Sequence, residues 1–454
     1  MFDKKILEIA ALMAMITNAN AWEGCGSGCE YEVNEGTLTI RGTGYITSHP
    51  WNAADVENVV IESGIQSIGR GVFRDATTIK SISIPDTVTS IGQDAFNGAK
   101  GITTLTLPNT MTSWGSCVFC NMTSLTKVNI PDSLTSISYA AFNGASKLAT
   151  VEISENSKLQ TIEGNAFRSS GVTTLNLPET LTSIGSYAFR DATSLQSLNI
   201  PSNTTSLGSN MFENASKLET VTLPEGITAI GGLMFHNTKI KSIVIPDGVT
   251  SIGWSAFSGA KNLESIVIPD SVTTIEDNAF WGASKLKELV LPANLKSIGQ
   301  YALRNLTSLE SLVIPDSVTY IGVKAFEETR NLRHLTIPDN AEIQSSAFVD
   351  VSVSDLTISA GQLRAYLTTG AGKFVNGAKI TCTTGGCDEV LKGTAYEGKV
   401  TVEYRRLEVQ NADGSISVYK KSKLVGFKNK RIYTVDEAEM LSKPTGNKFR
   451  VRYK

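Results

Sequence analysis

Histidine is almost missing from this chain. Three stand among 454 residues, His49, His236 and His334, far apart and in unrelated contexts. Cysteine is sparse as well, with six residues, and aromatics make up 7%. No nucleophile-elbow Gly-x-Ser-x-Gly, His-Glu-x-x-His, Walker lysine loop or dinucleotide glycine fingerprint occurs, which removes the reaction classes those signatures carry. Gly370-Ala-Gly-Lys373 lacks both the upstream glycine and the following Ser/Thr of a phosphate loop. The net charge of −3 argues against nucleic acid as a partner. No stretch beyond the first residues is long and apolar enough to cross a membrane.

The first residues have the composition of an export signal. Lys4 and Lys5 precede the apolar run Ile6–Ile16, and Ala19-Asn20-Ala21 fits the small-x-small cleavage pattern. Residues 1–21 are therefore expected to be a removed signal peptide, leaving a secreted, cell-surface or periplasmic chain without a transmembrane span. The six cysteines fall into three close pairs: Cys25 with Cys29, Cys117 with Cys120, and Cys382 with Cys387. In an oxidising compartment such pairs read as local disulfides. The short spacing between Cys117 and Cys120 constrains a bridge there. No metal or cofactor site follows from the sequence, because neither the cysteines nor the histidines bring four ligands together.

What the chain has in abundance is one pattern, repeated. An aromatic closes each copy at Phe73, Phe96, Phe119, Phe142, Phe167, Phe189, Phe212, Phe235, Phe257, Phe280, Phe326 and Phe348, with Leu303 standing in once. Successive copies lie 22 or 23 residues apart, except for 25 between Phe142 and Phe167. Such a period belongs to stacked short units that bury their apolar edges only against each other. Within a copy, Ile266 and Ile268 alternate with Val267 as a strand with one buried face requires. Pro269 ends that strand and Asp270 is turn chemistry. Val272 and Ile275 return inward, and Ala279-Phe280 before Gly282-Ala283 is expected to form a helical turn. The fold class is a β-rich α/β solenoid, a right-handed coil with a parallel sheet, followed by a small C-terminal α+β module.

The phrase Ile-Pro-Asp-Ser-Val-Thr-x-Ile-Gly-x-x-Ala-Phe-x-Gly-Ala, nearly whole at 84–99, 245–260 and 268–283, resembles the BspA-type leucine-rich repeat. The resemblance covers some thirteen units and about 290 residues. It implies a non-catalytic leucine-rich repeat array of a kind found mostly on exported or surface proteins of bacteria and some protists, several implicated in adhesion. The missing proline at Ser154 and the longer unit before Phe167 suggest a local bulge at 155–160.

The expected organisation is an N-terminal cap at 22–60, the array at 61–349, a C-terminal cap at 350–391 and a basic β-rich module at 392–454. That last segment carries 15 Lys/Arg against 7 Asp/Glu, a net +8 that leaves −11 on the rest of the chain. Strands are expected at 400–409, 415–420, 424–427 and 448–453, with a turn at 411–414 and a short helix from Thr434 to Ser442.

Stacking turns equivalent positions into columns about 4.8 Å apart. The outward position between the two inner apolar residues becomes valine four times, at Val244, Val267, Val290 and Val313, rimmed by Lys241, Glu264, Lys287, Glu310 and Arg333. This column is a candidate interaction patch, although valine also suits any exposed strand. The acids after proline, Asp86, Asp132, Glu179, Glu225, Asp247, Asp270, Asp316 and Asp339, fit turn formation better than a calcium ladder, since each unit offers a single carboxylate. Tyr139, Tyr187, Trp254, Trp281 and Tyr301 fit either stacking on sugars or packing between coils. The expectation is an exported, non-enzymatic protein that binds a host or neighbouring-cell surface protein. A carbohydrate-binding or carbohydrate-active protein and a passive spacer are the competing classes.

Overall fold

The computed structural model describes residues 22–404 in full and, beyond them, the backbone of 407–410, 416–419, 423–427, 430–434 and 450–453. The fold is a parallel-sheet β-solenoid of about 16 turns with few helices. Contacts divide the chain into two units, residues 1–227 with 233–240 and residues 228–232 with 241–454. The expected signal peptide lies outside the described residues.

The first unit opens with an antiparallel hairpin, β1 (Glu23–Asn34) and β2 (Thr37–Ile46). Glu35 and Gly36 both take positive φ at its tip, the geometry that matches strand twist in a tight hairpin. The outer half of β2 then pairs in parallel with Asn58–Ile61, and its end pairs with Ser67–Ile68. The coil stack thus begins at Thr37, inside the stretch expected to be a separate cap. The copy is hard to read because Trp51 stands where later units carry phenylalanine.

From there each turn places equivalent residues side by side. Ser67, Ser90 and Ser113 are in register, as are Ile68, Ile91 and Trp114. Ile137, Ile162, Ile184 and Leu207 continue the pattern in a separate ladder. These strands are two residues long, the minimum that turns one side chain in and one out. The longer unit before Phe167 takes up its extra residues in a turn at Glu155–Asn156, where the Ser154 hydroxyl donates to Asp132 and accepts from the Asn156 N–H.

The expected helical turn around each phenylalanine is absent. Instead, the residues two before and two after it both adopt left-handed backbone: Asp94 and Gly98 around Phe96, Asn165 and Ser169 around Phe167, Asn278 and Gly282 around Phe280. Between two left-handed residues four apart, alternate N–H groups face one side. Those groups bond to the next coil: Phe73 N–H donates to Ala95 O at 2.7 Å, Phe96 to Val118 O at 2.9 Å and Phe119 to Ala141 O at 2.9 Å. The turns therefore form their own ladder, which satisfies backbone that a helix would have satisfied internally. Asn, Asp and Gly occupy many of these positions because they tolerate positive φ best.

Inside, the phenylalanine rings stack. From Phe73 to Phe235 seven successive ring pairs lie 5.2–5.8 Å apart, centroid to centroid, at interplanar angles of 4–25°. Trp51 heads the column 5.7 Å from Phe73 and is itself met edge-on by Tyr31.

The second unit repeats this plan. Ile230, Ile252, Ile275, Ile298, Ile321 and Ile343 form one inward ladder. Its aromatic column holds Phe257 against Phe280 and Phe326 against Phe348. Leu303, fully buried, occupies the corresponding site between Phe280 and Phe326. At the end of the column, helix α1 (Ala360–Leu367), capped by the Ser359 hydroxyl, inserts Tyr366 between Phe348 and Phe374. The Tyr366 hydroxyl donates to Lys373 O at 2.9 Å. The parallel sheet continues through Ser352–Ile358, Lys373–Cys382 and Thr401–Tyr404, so it runs past residue 391, where the array and its cap were expected to end. Beyond it, Leu407–Gln410 pairs antiparallel with both Ile416–Tyr419 and Arg450–Tyr453, and Lys423–Phe427 pairs with Lys430–Thr434. The turn expected at 411–414 and the helix expected after Thr434 lie outside the described residues.

All three expected cysteine bridges are present. Cys25 is joined to Cys29, with their Cα atoms 5.2 Å apart. Cys117 is joined to Cys120 at a Cα separation of 4.9 Å, and Cys382 is joined to Cys387 at 6.2 Å. The constraint expected at the shortest spacing is met by the backbone, because Cys117 occupies one of the left-handed turn positions. Cys29, Cys120 and Cys387 are buried. The bridged cysteines therefore brace single turns from within and are not contact residues for a partner.

The buried tyrosines set an alkaline limit. Burial raises the Tyr366 hydroxyl well above its ordinary value. Burial first, then the hydrogen bond and charge of Glu23, push Tyr31 up to about 12. A folded pKa above the unfolded one means stability is complete below pH about 10 and is lost as the unfolded chain ionises above it. Urea midpoints should therefore stay flat from pH 8 to about 10 and fall from there toward pH 12, and Tyr366→Phe should flatten that fall.

Candidate interaction face

The outward side of the longer strand column is the broadest regular surface in each unit. In the first unit it is polar: Asn129, Glu152, Asn199 and Thr222 occupy the outward position. Several of these side chains are already engaged. The Asn129 carboxamide accepts from Leu107 N–H at 2.7 Å and donates to Leu107 O at 2.8 Å, and Glu152 pairs with Lys127 at 2.8 Å.

In the second unit the same position turns apolar. Val244, Val267, Val290 and Val313 are 66, 58, 77 and 66% exposed. Val244 faces Val267 across the ladder and Val313 faces Thr336. No strand forms at Glu288–Leu291, so Val290 shares the column's repeat position without a ladder partner on either side. A concavity of about 610 Å³ opens beside Val290 and Val313, with Glu288, His334, Thr336 and Asp355 also on its walls. Valine here is not a demand of the backbone, because the first unit builds the same strand with asparagine and threonine.

The rim sits where expected. Lys241, Glu264, Lys287 and Glu310 are exposed and Arg333 is half-buried, held by a 2.6 Å hydrogen bond to Ser352 O. The charges alternate in sign along the column, and Glu264 reaches Lys285 at 4.0 Å. Exposed pairs of this kind add little stability, but they leave the valines flanked by charges that balance. The four valines and four of the five rim residues are thus exposed to solvent in the second unit.

Two of the post-proline acids bond to residues of later coils. Asp270 accepts from Ala293 N–H at 2.8 Å, and Asp339 accepts from the Thr383 hydroxyl at 3.0 Å. Among the described residues no group of three or more His, Cys, Asp or Glu is placed to hold a metal, and no helix is long and apolar enough to cross a membrane.

Sequence reasoning missed the turn ladder as a surface. It carries its own polar network, in which the Asn214 carboxamide donates to Asp191 at 3.0 Å and that of Asn237 donates to Asn214 at 3.0 Å. Of the five flagged aromatics, Tyr139, Trp254 and Trp281 are exposed on these turns, while Tyr187 and Tyr301 are half-buried beside Arg190 and Arg304.

A model of the BspA type leucine rich repeat region (6 copies) matches residues 45–160, 145–263 and 233–354. Among solved structures, a leucine-rich repeat protein from Bacteroides ovatus ATCC 8483 is similar at 21% identity and a TM-score of 0.58, over 78% of this chain and 100% of that one. The pneumococcal vaccine antigen PcpA aligns at 20% identity and a TM-score of 0.47, over 78% of this chain and 98% of that one. A leucine rich cell surface protein from Faecalibacterium prausnitzii A2-165 aligns at 21% identity and a TM-score of 0.42, over 74% and 96%. No match was found among curated proteins.

Proposed function

Because this chain belongs to the BspA-type leucine-rich repeat family, we propose that it is an exported, non-enzymatic protein that binds a protein on a host or neighbouring cell through the valine column of its second unit. Proteins built from leucine-rich repeats generally bind other proteins, and repeats of this family are generally non-enzymatic. The observation that carries the reading is that the outward repeat position, held by Asn, Glu and Thr in the first unit, is an exposed valine in four coils of the second, three of them in the same parallel strand pairing. Exposed apolar area with no structural duty is what a protein partner buries. The alternating rim fixes register while leaving little net charge to select partners by attraction alone. Three short-range disulfides accord with export into an oxidising compartment.

The test is binding of the labelled protein to cultured epithelial cells before and after trypsin treatment of the cell surface. The wild-type chain should bind saturably and lose binding on trypsin treatment. Val267→Lys with Val290→Lys should weaken binding by at least about tenfold, the effect of losing about 1.4 kcal/mol at the centre of an interface. Its thermal midpoint should not move, because both side chains point into solvent. Equal binding by the double variant would remove the column from the account.

A further inference from the structure

The turn face of the second unit holds a surface that the protein-binding role does not use. Trp254 is 51% exposed and Trp281 is 41% exposed, in consecutive coils. The backbone explains how Trp254 is held. A Cβ built on Gly232, one coil earlier, would meet the indole Nε1, Cδ1 and Cε2 at 2.4, 2.7 and 2.9 Å. Three ring atoms nearly equidistant from that point place a face of the indole over the glycine main chain. The remainder of the ring is open to solvent. The next coil fixes the Trp254 backbone through Glu276, whose Oε2 accepts the Trp254 N–H at 2.9 Å. Asp277, the residue one coil beyond Trp254 in the same column, is exposed and accepts from the Gln300 N–H at 2.7 Å. Trp281 is steadied in its turn by the Arg304 guanidinium, 5.1 Å from its ring centroid, which is itself tied to Glu327 at 2.8 Å.

The glutamate contact recurs in the first unit. There Tyr139 is also exposed, its ring lies 3.6 Å from a Cβ built on Gly164, and Glu163 Oε2 accepts its N–H at 2.8 Å. In both cases a glutamate from the following coil holds the aromatic residue's backbone, but only at Trp254 does the ring occupy space that a glycine leaves free.

We infer that the Trp254 face, with Glu276 and Asp277 beside it, is a binding platform for a neutral saccharide. A pyranose has an apolar C–H face that stacks on an exposed aromatic and a rim of hydroxyls that donate to carboxylates. A nucleic-acid base would also stack, but its phosphates meet Glu276 and Asp277 and a chain that carries −11 outside residues 392–454. The same two carboxylates repel uronic and sialic acids, so the platform selects neutral hexoses.

The experiment is a glycan array of neutral and acidic saccharides probed with the full chain, followed by titration of the best neutral ligand by tryptophan fluorescence. The expected result is binding confined to neutral glycans, weakened about tenfold or more by Trp254→Ala and kept within about threefold by Trp254→Tyr, which preserves the stacking face. Val267→Lys with Val290→Lys should leave glycan binding unchanged, and Trp254→Ala should leave trypsin-sensitive cell binding unchanged, so the two sites fail separately. Absence of any neutral-glycan binding, preference for acidic glycans, or full binding by Trp254→Ala would each overturn the assignment.

Discussion

Phe142→Ala should destabilise the protein by about 3–5 kcal/mol, the cost of emptying a large aromatic site that its surroundings refill only in part. Phe142 is fully buried. It stacks between Phe119 and Phe167, at 5.3 Å from each, and Trp114 meets it edge-on at 5.9 Å. Removing the ring takes a contact from the coil on either side, and neither can close on the gap without breaking the turn ladder, in which Phe142 N–H donates to Ala166 O at 2.8 Å. Phe142→Leu should cost far less, about 1 kcal/mol, because a branched aliphatic side chain of similar reach fills the column. The protein already contains that exchange at Leu303, which is fully buried in the same position of its coil. Urea unfolding followed by circular dichroism measures both. Equal losses from the two variants would mean that the stack is a by-product of the period and does not hold the coils together.

The difference between the two substitutions shows what the sequence makes legible. The spacing of Phe96, Phe119 and Phe142 already implies the period, the parallel pairing and the register. A shared inward side is the only arrangement that buries Ile68, Ile91 and the apolar residues aligned with them. The outward direction of Val244 and Val267 follows from the same alternation. The partners Cys29, Cys120 and Cys387 were legible too, since each lies within five residues of the cysteine it bonds. The turns did not yield to that reasoning. Ala279-Phe280 with Gly282-Ala283 has the small-residue content of a helical turn, and the deciding feature is backbone sign at Asn278 and Gly282. Asn, Asp and Gly two residues either side of the phenylalanine were the available signal. It is blurred where Cys117, Tyr187, Leu233, Tyr301 and Lys324 adopt the same conformation, because hydrogen bonds to the neighbouring coil override a single residue's preference.

The ends of the stack were obscured for a related reason. Thr37–Ile46 and Ser352–Ile358 enter the parallel ladders without the proline that marks most coils. Pairing with a neighbour, not turn chemistry, places them there. Trp254 was legible as a candidate sugar-stacking residue, but the way it is held was not, because that depends on a glycine 22 residues earlier and a glutamate 22 residues later. Those residues become neighbours only once the exact length of each coil is known.

Stability is spread over interchangeable coils that share one pattern of contacts with their neighbours. Deletion of residues 265–287, one 23-residue period, joins Glu264 to Glu288, which then stands at the coil position that Ser265 held. Every retained residue keeps its column, so the loss is one coil's share of stability, about 1–3 kcal/mol for a segment of that size. Deletion of residues 265–275 removes about half a period instead. It carries Phe280 out of its column and sets inward residues against outward ones, a conflict no local shift relieves.

Equilibrium urea unfolding of these two deletions, side by side with the intact chain, is the most direct measurement. The predicted result is a cooperative transition at a modestly lower midpoint for the full-period deletion, and loss of cooperative folding for the half-period one. Collapse of both, or survival of both, would contradict a fold made of interchangeable coils.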